Sequence, residues 1–296
     1  MIRPTTPTVA EYLTNWYLPG RLGMRESSRE QLAIAVGVLD DWNGSPLRLS
    51  DLSTSIVRRF LADYLETRSA ATVNSKRRAI LTIWNAAVED GFADPPGKIA
   101  TAPEPQRLPE AWTIDQVDAL VVACRAVKGE FPTGIRRGLF WSSLVIVTYW
   151  TGARVSTLRS TRSADVNLAD RYLVTRQGKT RRDRLHWLPD QAIAAIAAHY
   201  DAGRDLVWPW PHCRRHFWRS FRKIVEQAGI PSEPGRRDLF HKLRRTNLSY
   251  TAALAGPDAA RRQAGHADYK TTERHYIDPR IAKQPSAVDF LPPLKK

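Results

Sequence analysis

Apolar residues recur at intervals of three and four through the first third of the chain, a spacing that predicts amphipathic helices. The pattern predicts helices over residues 8–17, 28–42, 54–68 and 70–91. Asn43-Gly44-Ser45-Pro46 separates the second helix from the third, since this composition is typical of a turn. The first third is therefore predicted to be a small, entirely helical domain.

A proline-rich polar stretch follows these helices. It begins at Asp94-Pro95-Pro96-Gly97 and continues through Pro103, Pro105 and Pro109, which is linker composition. We therefore predict two domains, residues 1–102 and 107–296. The second opens on Thr113-Ile114-Asp115-Gln116, a capping-box pattern at the start of an apolar helix.

The second domain mixes two periodicities. Helical spacing covers residues 113–127, 137–150, 190–200, 212–228 and 238–255. Residues 171–188 instead contain two strand-like segments around Gln177-Gly178-Lys179-Thr180, which predicts a β-hairpin with a glycine in its turn. The predicted fold class is mainly α, with a small helical N-terminal domain and a larger α-rich domain that contains a short antiparallel β-sheet.

Composition favours a soluble globular protein of the cytoplasm. Of the 296 residues, 43% are hydrophobic and 25% charged, which is ordinary for that class. No apolar run reaches the ~18 residues that a membrane span needs, and the N-terminus shows no export signal. The two cysteines, Cys124 and Cys213, fit no disulfide framework, so a reducing compartment is expected.

The net positive charge of the chain lies in the second domain. The chain has a formal net charge of +15, but residues 1–106 contain 12 basic and 12 acidic residues. Residues 107–296 contain 33 basic and 18 acidic residues, an excess that attracts polyanions such as nucleic acids. A solvated basic surface without a partner is the alternative.

The first domain, whose net charge is zero, has one basic triplet, Lys76, Arg77 and Arg78. These residues lie mostly off the apolar stripe of the fourth helix, so they are candidates for phosphate contacts or form a solvated basic turn.

Four separated segments contain candidate catalytic residues. They are Thr151-Gly152-Ala153-Arg154-Val155-Ser156, Gly178-Lys179-Thr180 in the hairpin, His241-Lys242-Leu243-Arg244 on a helix, and Gly265-His266 followed ten residues later by Tyr276. Each alone is explained by ordinary surface or core packing. Their order and spacing together resemble the tyrosine recombinase, or phage integrase, family of site-specific DNA recombinases.

The resemblance implies a role for each residue. Arg154 and Arg244 would bind the non-bridging oxygens of a phosphodiester, because the guanidinium fork matches two oxygens. Tyr276 would attack the phosphorus and form a 3′-phosphotyrosine, which stores the bond energy so that no metal, ATP or other cofactor is needed. His241 and His266 would bind the phosphate or move the nucleophile's proton, and Lys179 would protonate the leaving 5′-oxygen. The list of DNA-binding candidates is completed by Arg181 and Arg182.

The chain departs from the family pattern at three positions. Thr157 stands where an acidic residue is usual, and Arg245 stands where the H-x-x-R box often continues with histidine. His275 occupies the usual position of the tyrosine, and Tyr276 is one residue further along. Tyr269 lies too close to His266 to be the expected nucleophile.

The resemblance also implies partners. We expect double-stranded DNA bound between the two domains, four protomers acting on two DNA sites, and a nucleoid-associated location; an accessory directionality factor is a further partner that such an enzyme can have. Integration or excision of a mobile element is the leading role, and the alternatives are resolution of chromosome or plasmid dimers and an inactive DNA-binding relative. A grouping of His212, Cys213 and His216 lacks the second ligand pair of a standard zinc site, so no metal is expected.

Overall fold

A computed structural model describes residues 6–177, 182–231 and 239–283 of the chain. The chain divides into two compact units, Met1–Gln106 and Arg107–Lys296. Each unit has its own cluster of buried hydrophobic residues.

The N-terminal unit is helical. It contains α1 (Val9–Tyr12), which continues as a π-helical turn (Leu13–Tyr17), then α2 (Glu26–Asn43), α3 (Thr54–Thr67) and α4 (Ala70–Glu89). Thr8 and Glu11 form a capping box at the first helix, and Ser53 and Ser69 cap α3 and α4. These side chains satisfy backbone N–H groups that a helix start leaves without partners, which explains where the helices begin.

The C-terminal unit surrounds one buried helix, α6 (Arg137–Thr151), whose Trp141 packs against Phe221 and whose Phe140 packs against Phe131. Its other helices are α5 (Ile114–Arg125), α7 (Val155–Arg159), α8 (Asp190–Ala197), α9 (Arg214–Gln227), α10 (Leu239–Ala255), α11 (Pro257–Ala264) and α12 (Tyr269–Tyr276). A short 3-10 turn spans Ser163–Asp165.

A three-stranded antiparallel sheet interrupts the helices of this unit. It consists of β1 (Val166–Asn167), β2 (Tyr172–Gln177) and β3 (Arg182–Trp187), hydrogen-bonded in that order. In β3 the usual burial is reversed: His186 is 7% exposed, whereas Leu185 and Trp187 are 49% and 71% exposed. A polar face of β3 is therefore turned towards the interior.

The predicted fold class is confirmed, since the structure is mainly helical with one short antiparallel sheet. The apolar spacing did not predict α7, α11 or α12, which are short and rich in polar residues. Within the described residues, no helix is both long and apolar enough to cross a membrane.

Candidate active site

Tyr276 is the last residue of α12 and lies in a pocket of basic side chains. It is 8% exposed. The ring centroids of His241 and His266 each lie 4.9 Å from that of Tyr276, and the guanidinium carbon of Arg244 lies 5.1 Å from it. Helices α10 and α12 and the turn after α11 therefore bring together four residues that lie up to 35 positions apart in the sequence.

Arg244 is the most deeply buried cation of the site, with 2% of its surface exposed. It donates from Nη1 to the carbonyl of Gly152 and from Nη2 to the carbonyl of Ala264 (2.8 Å). Its buried Nε has no hydrogen-bond partner within the described residues. Burial lowers the pKa of Arg244 to about 10, with a further contribution from Arg154, so the group remains a cation at neutral pH and can meet an anion.

The turn at Gly152, directly after α6, is held in place by side chains of helices α10 and α11. Helix α6 ends at Gly152, whose φ of +60° favours glycine. Asn247 of α10 donates to the carbonyl of Tyr149 at 2.8 Å, and Gln263 of α11 donates to that of Thr151 at 2.9 Å. A Cβ atom on Gly152 would lie 2.4 Å from Oδ1 of Asn247, so only glycine fits here. This turn places half-buried Arg154 at the start of α7.

His266 is held as a neutral imidazole. Its Nδ1 is 2.9 Å from the hydroxyl of Thr272, and its Nε2 is 3.5 Å from Nη2 of Arg244. An arginine can only donate, so Nε2 is the acceptor and Nδ1 holds the proton. Burial, followed by the charges of Arg244 and Arg154, lowers the pKa of His266 to about 4.

Arg184 is a third arginine of the site, and the sequence analysis did not single it out. It donates from β3 to the carbonyls of Arg262 and Gln263, and burial and the charge of Arg154 lower its pKa. Neighbouring His186 bonds to the hydroxyl of Thr175 at 3.0 Å, and burial with the charge of Arg184 lowers its pKa to about 4. The signal in the sequence is the alternation of Arg184 and His186 with apolar Leu185 and Trp187, which predicts two unlike faces without saying which is buried.

The arrangement favours binding of a phosphate group. The charges of Arg154 and Arg184 lower the pKa of Arg244, and the charge of Arg154 lowers that of Arg184, so the three cations lie close enough to repel one another. An anion between such cations relieves the repulsion and receives charge-assisted hydrogen bonds. A tyrosine beside that anion, with a neutral histidine as hydrogen-bond acceptor, has the components of nucleophilic attack on phosphorus.

The structure distinguishes Tyr276 from its two neighbours of similar chemistry. His275, at the position usual for the tyrosine, is exposed. Tyr269 packs against a separate apolar cluster of Ala260, Ile277 and Ala282. Tyr276 is the one of these three residues whose ring contacts His241, His266 and Arg244.

Several predicted residues do not lie in this group. Lys179 and Arg181 lie outside the described residues, as does the side chain of Arg182, whose backbone begins β3. In the N-terminal unit, Lys76 is buried and Arg77 donates to the carbonyl of Ile99 at 2.9 Å. Arg78 is exposed. Of the three basic side chains predicted as candidates for phosphate contacts, it is the exposed one.

Helix α9 presents a basic stripe that was not among the predicted DNA-binding residues. Arg215, Arg219 and Lys223 lie four residues apart and are exposed, whereas Phe217 and Phe221 are buried. The imidazoles of His212 and His216 are 4.6 Å apart by ring centroid. Within the described ranges, however, no group of three or more His, Cys, Asp and Glu residues is arranged to hold a metal ion.

Known proteins resemble this chain in sequence. A sequence profile of the phage integrase family matches residues 111–282. Tyrosine recombinase XerD of Yersinia pestis is 27% identical over 291 residues, which cover 92% of this chain and 93% of the relative. XerD of Rhizobium meliloti is 28% identical and covers 79% of each chain.

Solved structures with the same fold include nucleic-acid complexes. A lambda integrase tetramer bound to a Holliday junction superposes with a TM-score of 0.70 at 17% identity, covering 96% of this chain and 80% of that one. The Tn1549 transposon integrase in complex with transposon right end DNA gives a TM-score of 0.67 at 13% identity, covering 96% and 97%. At these identities the likeness shows the fold.

Proposed function

This chain belongs to the phage integrase family, whose members break and rejoin DNA, and we propose that it performs site-specific recombination through Tyr276. The observation that carries the proposal is the position of this buried phenol among two histidines and Arg244. The full-length likeness to XerD supports the same chemistry.

In the proposed cleavage step, Oη of Tyr276 attacks a DNA phosphorus atom. A phosphotyrosine bond to the 3′ side forms as the bond to the 5′-oxygen breaks, so the number of phosphoester bonds is unchanged and the reverse step rejoins DNA. Neither ATP nor a metal enters this scheme. Arg154 and Arg244 stabilise the charge that develops on the non-bridging oxygens, which lowers the barrier more than it strengthens ground-state binding.

Two protons move during cleavage. We propose that the phenol proton passes to the histidine pair, where the acceptor Nε2 of neutral His266 supports such a transfer. Lys179 is proposed as the acid that protonates the leaving 5′-oxygen. This assignment follows from the family resemblance and from its place between β2 and β3, because the residue itself lies outside the described part of the chain.

Double-stranded DNA is the proposed substrate, and four protomers on two sites form the proposed assembly. The basic excess of residues 107–296 supports DNA binding. Arg78 and the basic stripe of α9 are proposed phosphate contacts, together with Arg181 and Arg182. An accessory directionality factor remains a prediction.

For the biological role, we propose integration or excision of a mobile element. Solved structures with the same fold include the lambda integrase and the Tn1549 transposon integrase, which supports this role. The second candidate is resolution of chromosome or plasmid dimers, which the likeness to XerD over 92% of the chain favours.

One experiment tests the chemistry and then the role. The protein is incubated with fragmented genomic DNA of its source, denatured with detergent, and the protein-bound fragments are sequenced. We expect covalently bound DNA that contains one recurrent site. A site at both ends of an inserted element supports integration, and a single chromosomal site that bounds no element supports dimer resolution. Specific binding without any covalent adduct would support the inactive relative and contradict the proposal.

A further inference from the structure

Arg184 ties the β-sheet to the end of helix α11. Its Nη1 donates to the carbonyl of Gln263 at 2.9 Å and its Nη2 to that of Arg262 at 2.6 Å. Both carbonyls belong to the last turn of α11, where a helix lacks internal partners for its carbonyl groups and its dipole favours a cation. One side chain therefore satisfies two helix-end acceptors from a different element.

The guanidinium group of Arg184 lies against the turn that contains His266. Gly265 has a φ of +68°, and a Cβ atom there would lie 2.7 Å from Nη1 of Arg184. Arg244 takes the next carbonyl, that of Ala264, at 2.8 Å. Two arginines thus hold three successive carbonyls immediately before Gly265 and His266, and this fixes the direction of the turn.

Arg184 itself belongs to strand β3. Strand β3 begins at Arg182, directly after residues 178–181, which include Lys179. Arg184 is paired with Thr175 of β2, so both strands of the hairpin are anchored at this level. Strand β3 therefore supports the turn that contributes His266 to the proposed cleavage step.

We propose that Arg184 is a positioning residue for DNA cleavage, which holds the His266 turn against β3 so that His266 meets the phosphate bound by Arg154 and Arg244. The inference rests on the proposed function. It adds to Arg154 and Arg244, which are proposed to bind the phosphate, a third arginine that acts through the His266 turn.

The charge of Arg184 adds a measurable signature. The charged and titratable groups around His266 are Arg244 and His241 of α10, Arg261 of α11, His275 and Tyr276 of α12, Arg184 and His186 of β3, and Arg154. After burial, the charges of Arg244, Arg154 and Arg184 lower the pKa of His266, in that order. Removing the charge of Arg184 raises that pKa towards the ordinary value of ~6.5. The proposed step uses neutral His266, so cleavage would then weaken in mildly acidic solution.

The test compares Arg184→Met and Arg184→Lys with the wild-type chain and with Arg204→Met. Arg204 is a matched control because it also donates to a carbonyl near a helix end, that of His199, outside the site. Single-turnover adduct formation on a nicked DNA site is measured between pH 5 and 8, together with DNA affinity and thermal unfolding.

We expect Arg184→Met to cleave at least tenfold more slowly at pH 7.5, with less than a threefold change in DNA affinity, and to lose activity on acidification at a higher pH than the wild type does. Arg184→Lys keeps the charge without the fork, so it should also be slow but retain the pH profile of the wild type. Arg204→Met should cleave at the wild-type rate.

Each remaining outcome contradicts one part of the account. Rates within twofold of wild type for both Arg184 variants, or losses that merely follow reduced thermal stability with an unchanged pH profile in Arg184→Met, overturn the inference. If Arg184→Met does not fold, the inference is tested by the rate of adduct formation of Arg184→Lys at unchanged DNA affinity. A wild-type chain that forms no adduct contradicts the proposed function itself.

Discussion

Replacement of Arg244 by lysine tests whether the site needs a guanidinium or only a positive charge. In the structure this side chain bonds to the carbonyls of Gly152 and Ala264, and its buried Nε has no partner within the described residues. An ammonium group can reach at most part of this set from one nitrogen. The same burial and neighbouring arginines would also lower the pKa of the introduced lysine, so its charge is less secure.

The expected loss follows from these contacts. Removing one fixed donor to a developing oxyanion costs about 2–4 kcal/mol of transition-state stabilisation, which corresponds to a rate reduction of about 30- to 1,000-fold. We expect Arg244→Lys to lie in this range at saturating DNA. Folding stability should change separately, because a carbonyl left without its partner costs about 1–3 kcal/mol.

The assay is single-turnover formation of the covalent adduct on a nicked site, with urea unfolding measured in parallel. Arg204→Lys is the control, since it makes the same change at an arginine that bonds to the carbonyl of His199 outside the site. A rate within threefold of wild type for Arg244→Lys, in a protein that remains folded, would refute the guanidinium argument.

Three further predictions concern the acid, a turn and the distribution of charge. Lys179→Ala should be slow on ordinary DNA and largely restored on a 5′-phosphorothiolate substrate, whose sulfur leaves without protonation, whereas Arg154→Ala should not be restored; equal rescue of both variants argues against the acid role. Gly152→Ala should destabilise the chain in urea by more than Gly229→Ala, because both have a positive φ but only Gly152 has an atom of Asn247 within 2.4 Å of the added Cβ; equal losses contradict the crowding argument. A fragment of residues 107–296 should bind DNA with a steep salt dependence and little sequence preference, measured by titration at several salt concentrations; no binding at low salt contradicts the charge argument.

The sequence predicted the longer helices well because they bury continuous apolar stripes. Helices α3, α4 and α5 follow the three-and-four spacing of their hydrophobic residues. Helix α12 has no such stripe: it is mostly polar, begins at a cap from Asp268 and buries Thr272 and Tyr276 against the rest of the site. Its existence depends on contacts distant in sequence, which local periodicity does not contain.

The basic triplet of α4 shows the same limit. Periodicity places Lys76 and Arg77 off the main apolar stripe, but the chain after α4 returns to this surface. The carbonyl of Ile99 accepts from Arg77, and Asn74 bonds to the backbone of Ala102. Residues that follow a helix can therefore bury side chains that the helical pattern alone assigns to solvent.

The candidate site was predicted as a set of residues but not as a geometry. The motifs named Arg154, His241, Arg244, His266 and Tyr276, and the structure brings the histidines, Arg244 and Tyr276 into contact. The motifs could not indicate that His266 is neutral, since that depends on burial and on the arginines around it. The inward direction of Arg184 likewise depends on which face of β3 meets α11.

The most direct test of the central claim is to identify the residue that becomes attached to DNA. The trapped complex is digested with protease and nuclease, and the nucleotide-modified peptide is sequenced by mass spectrometry, for the wild type, Tyr276→Phe and Tyr269→Phe. We predict modification at Tyr276 in the wild type and in Tyr269→Phe, and DNA binding without any adduct in Tyr276→Phe. An adduct formed by Tyr276→Phe, or a modification mapped to Tyr269 or His275, would contradict the account.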